Sequence, residues 1–104
     1  MKRGEIWWAA LKPPAGRRPV LLLSRDEAYA IRAHVTVAPV STQIRNIPTE
    51  VALGIDDGLP RPSAVNLDSI QTIPKSALTR RVTALAPSRM EAVEDAVRFA
   101  LAMK

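Results

Sequence analysis

"PPAGRRPVLLLS", residues 13–24, sets two arginines and a proline directly in front of an apolar run. The run "RPVLLLS" (18–24) is continuous, short and rich in branched residues, so it reads as a β-strand buried on both faces. Upstream, "EIWWAAL" (5–11) is a first strand ended by Pro13 and Pro14. Adjacent strand residues point to opposite faces, so one of Trp7 and Trp8 enters the core. The other faces outward. Downstream, Ser24 and Glu27 stand at capping-box spacing, predicting one or two helical turns in "SRDEAYAIR". "AHVTVAPVS" (33–41) alternates Val35 and Val37 against His34 and Thr36, a half-buried strand. "IPTEVALG" (47–54) and "SAVNLDSIQTIP" (63–74) read as one strand each, separated by the turn-rich "DDGLPRP", and "RRVTALA" (80–86) as a last short strand.

The period then changes. Ser88 and Glu91 form a second capping-box pattern, and Met90, Val93, Val97 and Leu101 fall on one face of a helix from about 88 to 102, widened by Ala96 and Ala100. Five or six strands followed by one amphipathic helix predict a mainly β domain over residues 1–104, with the helix covering one opening of a small half-open barrel.

The chain carries a net charge of +5, unevenly spread: residues 1–50 hold eight Lys/Arg against four Asp/Glu, residues 51–104 seven against six. A basic surface draws polyanions, nucleic acid first; the same charge also serves solubility alone. No stretch approaches the roughly 20 apolar residues of a membrane span, so no membrane association is expected. "MKRGEIWW" has a basic start without the apolar run of a secretory leader, and the absence of cysteine suits a reducing cytoplasm.

Most catalytic chemistries lack their residues here. His34 is the only histidine, with no carboxylate at a useful spacing, and reads as a surface residue. Asp56 and Asp57 belong to a turn, Asp68 stands alone, no metal-ligand spacing occurs, and four glycines make no phosphate-cradling loop. No metal or cofactor is expected. What remains is Arg17-Arg18 at the start of one strand and Ser41-Thr42 at the end of another. If these strands pair antiparallel, Arg18 and Ser41 meet at one sheet end, an arginine fork and a hydroxyl able to grip one phosphate. Taken alone, the pattern favours a second reading, an arginine at a strand end and the start of a turn.

Five segments in order decide for the first. "RGEIWW", "RRPVLLLS", "VTVAPVSTQIR", "IPTEVAL" and "SAVNLDSIQTIP" resemble, across nearly the whole chain, the MazF/PemK toxins of bacterial type II toxin–antitoxin modules. The resemblance implies an SH3-like small barrel of the kind shared by MazF-like and CcdB-like toxins. It also implies a metal-independent, sequence-specific endoribonuclease acting on single-stranded RNA, mRNA above all. The family's catalytic arginine directly precedes proline, here Arg18; its catalytic hydroxyl falls on Ser41, with Thr42 adjacent. Substrate contacts are then expected from Arg17, Arg25, Gln43, Arg45, Arg61 and Lys75. Implied partners are a second copy of the chain and a cognate antitoxin whose disordered acidic C-terminal segment covers the basic groove. Two departures stand out: no carboxylate lies between Glu5 and Arg18 to act as a base, and Ser replaces the commoner Thr at position 41. The same fold serves toxins that bind and poison DNA gyrase without catalysis, and a homologue that only binds RNA or its antitoxin is the other alternative.

Overall fold

The strands of the computed structural model, which describes all 104 residues, lie largely where side-chain alternation puts them. β1 (Glu5–Ala10) and β2 (Arg17–Leu22) form a hairpin. A single helical turn, α1 (Ala28–Ile31), leads into the longest strand, β3 (His34–Ser41). β4 (Glu50–Leu53), β5 (Ser63–Asn66), β6 (Gln71–Pro74) and β7 (Leu78–Ala84) follow, and helix α2 (Pro87–Ala100) comes last. All pairings are antiparallel, in the order β4-β5-β3-β2-β1-β7, and β6 pairs with the first half of β3. β3 is the hub: its middle residues pair with β2 and its last two, Val40 and Ser41, with β5. The path ends at β4 and β7 without closing, so the barrel is half-open.

Seven strands replace the expected five or six because residues 63–74 divide. The Asn66 side-chain oxygen accepts the Asp68 amide at 2.9 Å, folding Leu67–Ser69 into a 3₁₀ turn between β5 and β6. Such local side-chain bonding competes with a continuous strand.

β2 does bury both faces. Leu21 joins Ile6, Ala38, Val65 and Val93 in one cluster, while Val20 and Leu22 join Tyr29, Val35 and Val37 in another. α2 closes the first cluster, crossing β4 and the Leu67–Ser69 turn with Val93 fully buried and Ala96 nearly so. Leu101, expected on that face, lies past the last helical turn and is 58% exposed. Neither capping box forms. Pro87 starts α2 at its first turn, which places Ser88 inside the helix; proline's fixed φ and missing N–H suit that position. Ser24 Oγ instead accepts the Thr36 amide at 2.8 Å, tying the end of β2 to β3.

An ion pair between an exposed arginine and a buried carboxylate fastens the helix to the β4–β5 connection. Asp57 accepts from the Gly54 amide and from Arg89 Nε, both at 2.8 Å. Burial pushes the Asp57 carboxyl up, but these donors and the Arg89 charge outweigh it and hold the group below the usual carboxylate value. Gly58 follows in the left-handed region (φ 90°), and a Cβ there would collide with Thr83.

Candidate active site

The loop after β1 brings the chain back so that β2 starts beside the end of β3. Their register pairs Val20 with Pro39, and carrying it two residues further sets Arg18 across from Ser41. Both residues line a cleft of about 340 Å³, together with Gln43, Arg45, Glu50, Asn66, Ser69 and Gln71.

Arg18 is half-buried, and its Nε is fully buried with no hydrogen-bond partner within the chain. A buried donor left unpaired costs about 1–3 kcal/mol, so this group calls for an acceptor that the chain itself does not supply. Ser41 is prepared differently. Its Oγ accepts the Gln43 amide at 3.0 Å, which fixes the oxygen within the turn and leaves the hydroxyl proton to donate. The turn thereby supplies the fixing that the β-methyl of threonine would otherwise give.

Thr42 lies on the other face of the strand end. It lines a second cleft, of about 440 Å³, with Trp8, Arg17, Pro60, Arg61 and Val82; Arg18 and Ser41 border both clefts. Arg17 stacks over the Trp8 ring, 4.2 Å from its centroid, a cation–π contact that holds the guanidinium flat. Trp7 and Trp8 are both half-buried: Trp7 Nε1 donates to Glu5 at 2.9 Å, and Trp8 forms cleft wall.

The remaining cations separate into two groups. Arg17 and Arg61 line the second cleft and Arg45 the first, where Arg45 Nη1 pairs with Glu50 at 3.0 Å. Arg25 and Lys75 line neither. Arg25 is exposed beyond the far end of β2, and Lys75 Nζ donates to the Tyr29 carbonyl at 2.7 Å, bracing α1. Glu50, Asn66, Ser69 and Gln71 were not singled out in the sequence. Gln71 pairs with Val37 and Glu50 with Asn66, so strand register is the signal that gathers them. The Asp26, Tyr29 and Lys75 region is structural: burial and the nearby Asp26 charge push the Tyr29 hydroxyl up to about 12, and it donates to the Ser24 carbonyl. No group of three or more metal-ligating side chains gathers anywhere in the chain.

A model of the PemK-like, MazF-like toxins of type II toxin–antitoxin systems matches residues 2–101. The chain belongs to this toxin family. It is 43% identical over 100 residues to a probable endoribonuclease MazF5 of Mycobacterium tuberculosis, covering 95% of this chain and 91% of that protein. It is 40% identical over 80 residues to endoribonuclease MazF3 of the same species, covering 77% and 78% of the two chains. Among solved structures, M. tuberculosis toxin MazF-mt6 superposes with a TM-score of 0.89 at 36% identity, covering 96% of this chain and 98% of that one. A mycobacterial endoribonuclease in complex with its cognate antitoxin gives 0.88 at 29% identity, covering 100% and 97%. The half-open barrel with its C-terminal helix is thus the MazF toxin fold.

Proposed function

We propose that this MazF-like toxin is an endoribonuclease that cuts single-stranded RNA, mRNA being its main substrate, by metal-independent transesterification. The substrate's own 2′-hydroxyl attacks the adjacent phosphorus. The bond to the 5′-oxygen breaks, the 2′-hydroxyl gives its proton to water and the departing oxygen takes one from water, leaving a 2′,3′-cyclic phosphate and a 5′-hydroxyl. The Arg18 guanidinium meets a phosphoryl oxygen and stabilises the charge that grows there in the transition state; it serves as a charge-assisted clamp and not as a proton source. Ser41 donates a hydrogen bond from its hydroxyl to a second oxygen, and Thr42 stands on the neighbouring wall toward the flanking nucleotide. Unpaired RNA offers the base faces and edges that such open clefts read, and Arg17 and Arg61 attract its backbone.

The observation that carries this reading is the buried, unpartnered Arg18 Nε beside a serine whose oxygen is already held by Gln43. The endoribonuclease names of relatives sharing 40–43% identity support it. By the same reading the toxin works in the cytoplasm as a homodimer, and an acidic segment of a cognate antitoxin silences it by covering the basic clefts. No helix is long and apolar enough to cross a membrane.

Incubation with a long mixed-sequence RNA in EDTA tests the reaction. Discrete cuts ending in a cyclic phosphate and a 5′-hydroxyl are expected. Absence of cutting by the folded protein would contradict the nuclease and favour a binding-only toxin.

A further inference from the structure

Glu50 is the one carboxylate in either cleft bordered by Arg18, and both its oxygens go to the same residue. Oε1 accepts the Arg45 backbone amide at 2.8 Å, and Oε2 accepts Arg45 Nη1 at 3.0 Å. The two ends of this pair sit in different surroundings: the Glu50 side chain is 3% exposed and that of Arg45 is 49% exposed. Exposed ion pairs are loose and weak as a rule. Here a buried anchor holds both the main chain and the head group of one arginine.

Anchor and held residue sit in different kinds of structure. Glu50 opens β4 and pairs with Asn66 of β5. Arg45 sits in the strand-free segment that follows Ser41, next to Asn46 in the left-handed region (φ 56°). Of the five N–H donors on a guanidinium, Glu50 takes one, and the planar fork leaves others for a second anion. That fork lies in the cleft that Arg18 and Ser41 line.

We propose that Glu50 is a positioning residue: it aims Arg45 across the cleft from Arg18, so that Arg45 grips a phosphate neighbouring the one being cut. This rests on the RNA-cleaving reading of the same cleft. This role differs from that of a base taking the 2′-hydroxyl proton, because both Glu50 oxygens already accept from Arg45.

The sign of one substitution separates positioning from simple charge balance. Glu50→Gln raises the net charge by one, so a carboxylate that merely tempered Arg45 would, on removal, tighten RNA binding. A carboxylate that aims Arg45 would, on removal, weaken it. The probe is a mixed-sequence single-stranded RNA with 2′-fluoro sugars, which lacks the attacking hydroxyl, titrated against the full-length protein over a range of salt. Glu50→Gln is expected to weaken binding roughly threefold to tenfold, the scale of one hydrogen bond's net contribution. Glu50→Asp, which keeps the charge but shortens the reach, is expected to weaken it as well. Arg45→Ala should make the slope of log affinity against log salt shallower by about 0.7, one phosphate contact on a single strand. In the Arg45→Ala background Glu50→Gln should then add nothing.

Tighter binding by Glu50→Gln would overturn the proposal, as would an equal loss with and without Arg45. On unmodified RNA, KM is expected to rise more than kcat falls; a collapse of kcat at unchanged KM would also overturn it by placing Glu50 at the reacting atoms. Should Glu50→Gln fail to fold, the salt slope of Arg45→Ala and the affinity of Glu50→Asp decide. Binding of the fluorinated RNA without cutting of the unmodified RNA would count against the nuclease reading alone, since the Glu50 comparison is still read from binding.

Discussion

Two arginine sites on this sheet are built in opposite ways. At one end of β1, Glu5 accepts from the Lys2 amide at 3.0 Å, from Trp7 Nε1 at 2.9 Å and from Arg81 Nε at 3.2 Å. Burial pushes its carboxyl up, but these donors together pull it below the usual value. At the start of β2, Arg18 has the same chemical group, an Nε–H, buried with nothing to donate to. The first site is saturated and holds β1, β7 and the N-terminus together. The second leaves a costly donor open where Ser41 and the cleft meet. In a fold this small, unmet polar demand is the feature that separates the proposed catalytic arginine from a structural one.

Each substitution below either breaks that contrast or sharpens it. Arg18→Ala has the largest effect: RNA cleavage is expected to fall by at least about 100-fold, as when one transition-state donor is removed. Its melting temperature should not fall, because an unpaired buried donor disappears with it. Cleavage kinetics and thermal unfolding on the same samples check both halves. Ser41→Ala should lose roughly 100-fold in kcat on the same scale. Ser41→Thr should retain cleavage, and Thr42→Ala should change it much less than Ser41→Ala.

Glu5→Ala, at the saturated site, should reverse the pattern. It leaves the partly buried Trp7 Nε1 without its acceptor and is expected to cost about 1–3 kcal/mol of stability, while cleavage below the melting temperature stays near wild type. Gly58→Ala should cost a similar amount, roughly 1–3 kcal/mol, through left-handed backbone strain and the collision with Thr83; denaturant unfolding reads it.

The smallest effect is in acid. Glu5 and Asp57 both have folded pKa values below their ordinary ones, so the unfolded chain takes up their protons at higher pH than the folded chain does. Their contribution to stability is therefore complete above the ordinary carboxylate range and is lost as pH falls through the folded values. Melting temperature against pH should show an acid limb that flattens in the Glu5→Gln, Asp57→Asn double variant.

How much of this was legible in the sequence depends on how local the cause is. β1, β2 and β3 follow from alternation and apolar runs, and Arg18 meets Ser41 because only α1 and two short turns separate their strands. The break at Asn66–Asp68 was missed because one side-chain bond outweighs the β-pattern around it. The capping boxes failed where a distant partner competes, as Thr36 does for Ser24, or where proline already starts the helix. Lys75 reads as a free cation until the Tyr29 carbonyl, 46 residues earlier, claims it. Glu50, Asn66, Ser69 and Gln71 join the cleft only because β3 pairs with β5 and β6 at once, a tertiary fact that no spacing along the chain announces.

By the proposed reaction, Arg18 takes its acceptor from the RNA, whereas Arg81 Nε already has one in Glu5. Side-chain ¹H–¹⁵N spectra of the arginine Nε–H groups, recorded while the 2′-fluoro RNA is added, test it most directly. The Arg18 proton is expected to shift downfield and exchange more slowly as RNA binds, with Arg81 unmoved beside Glu5. RNA binding that leaves Arg18 unchanged, or moves it no more than Arg81, would contradict the account.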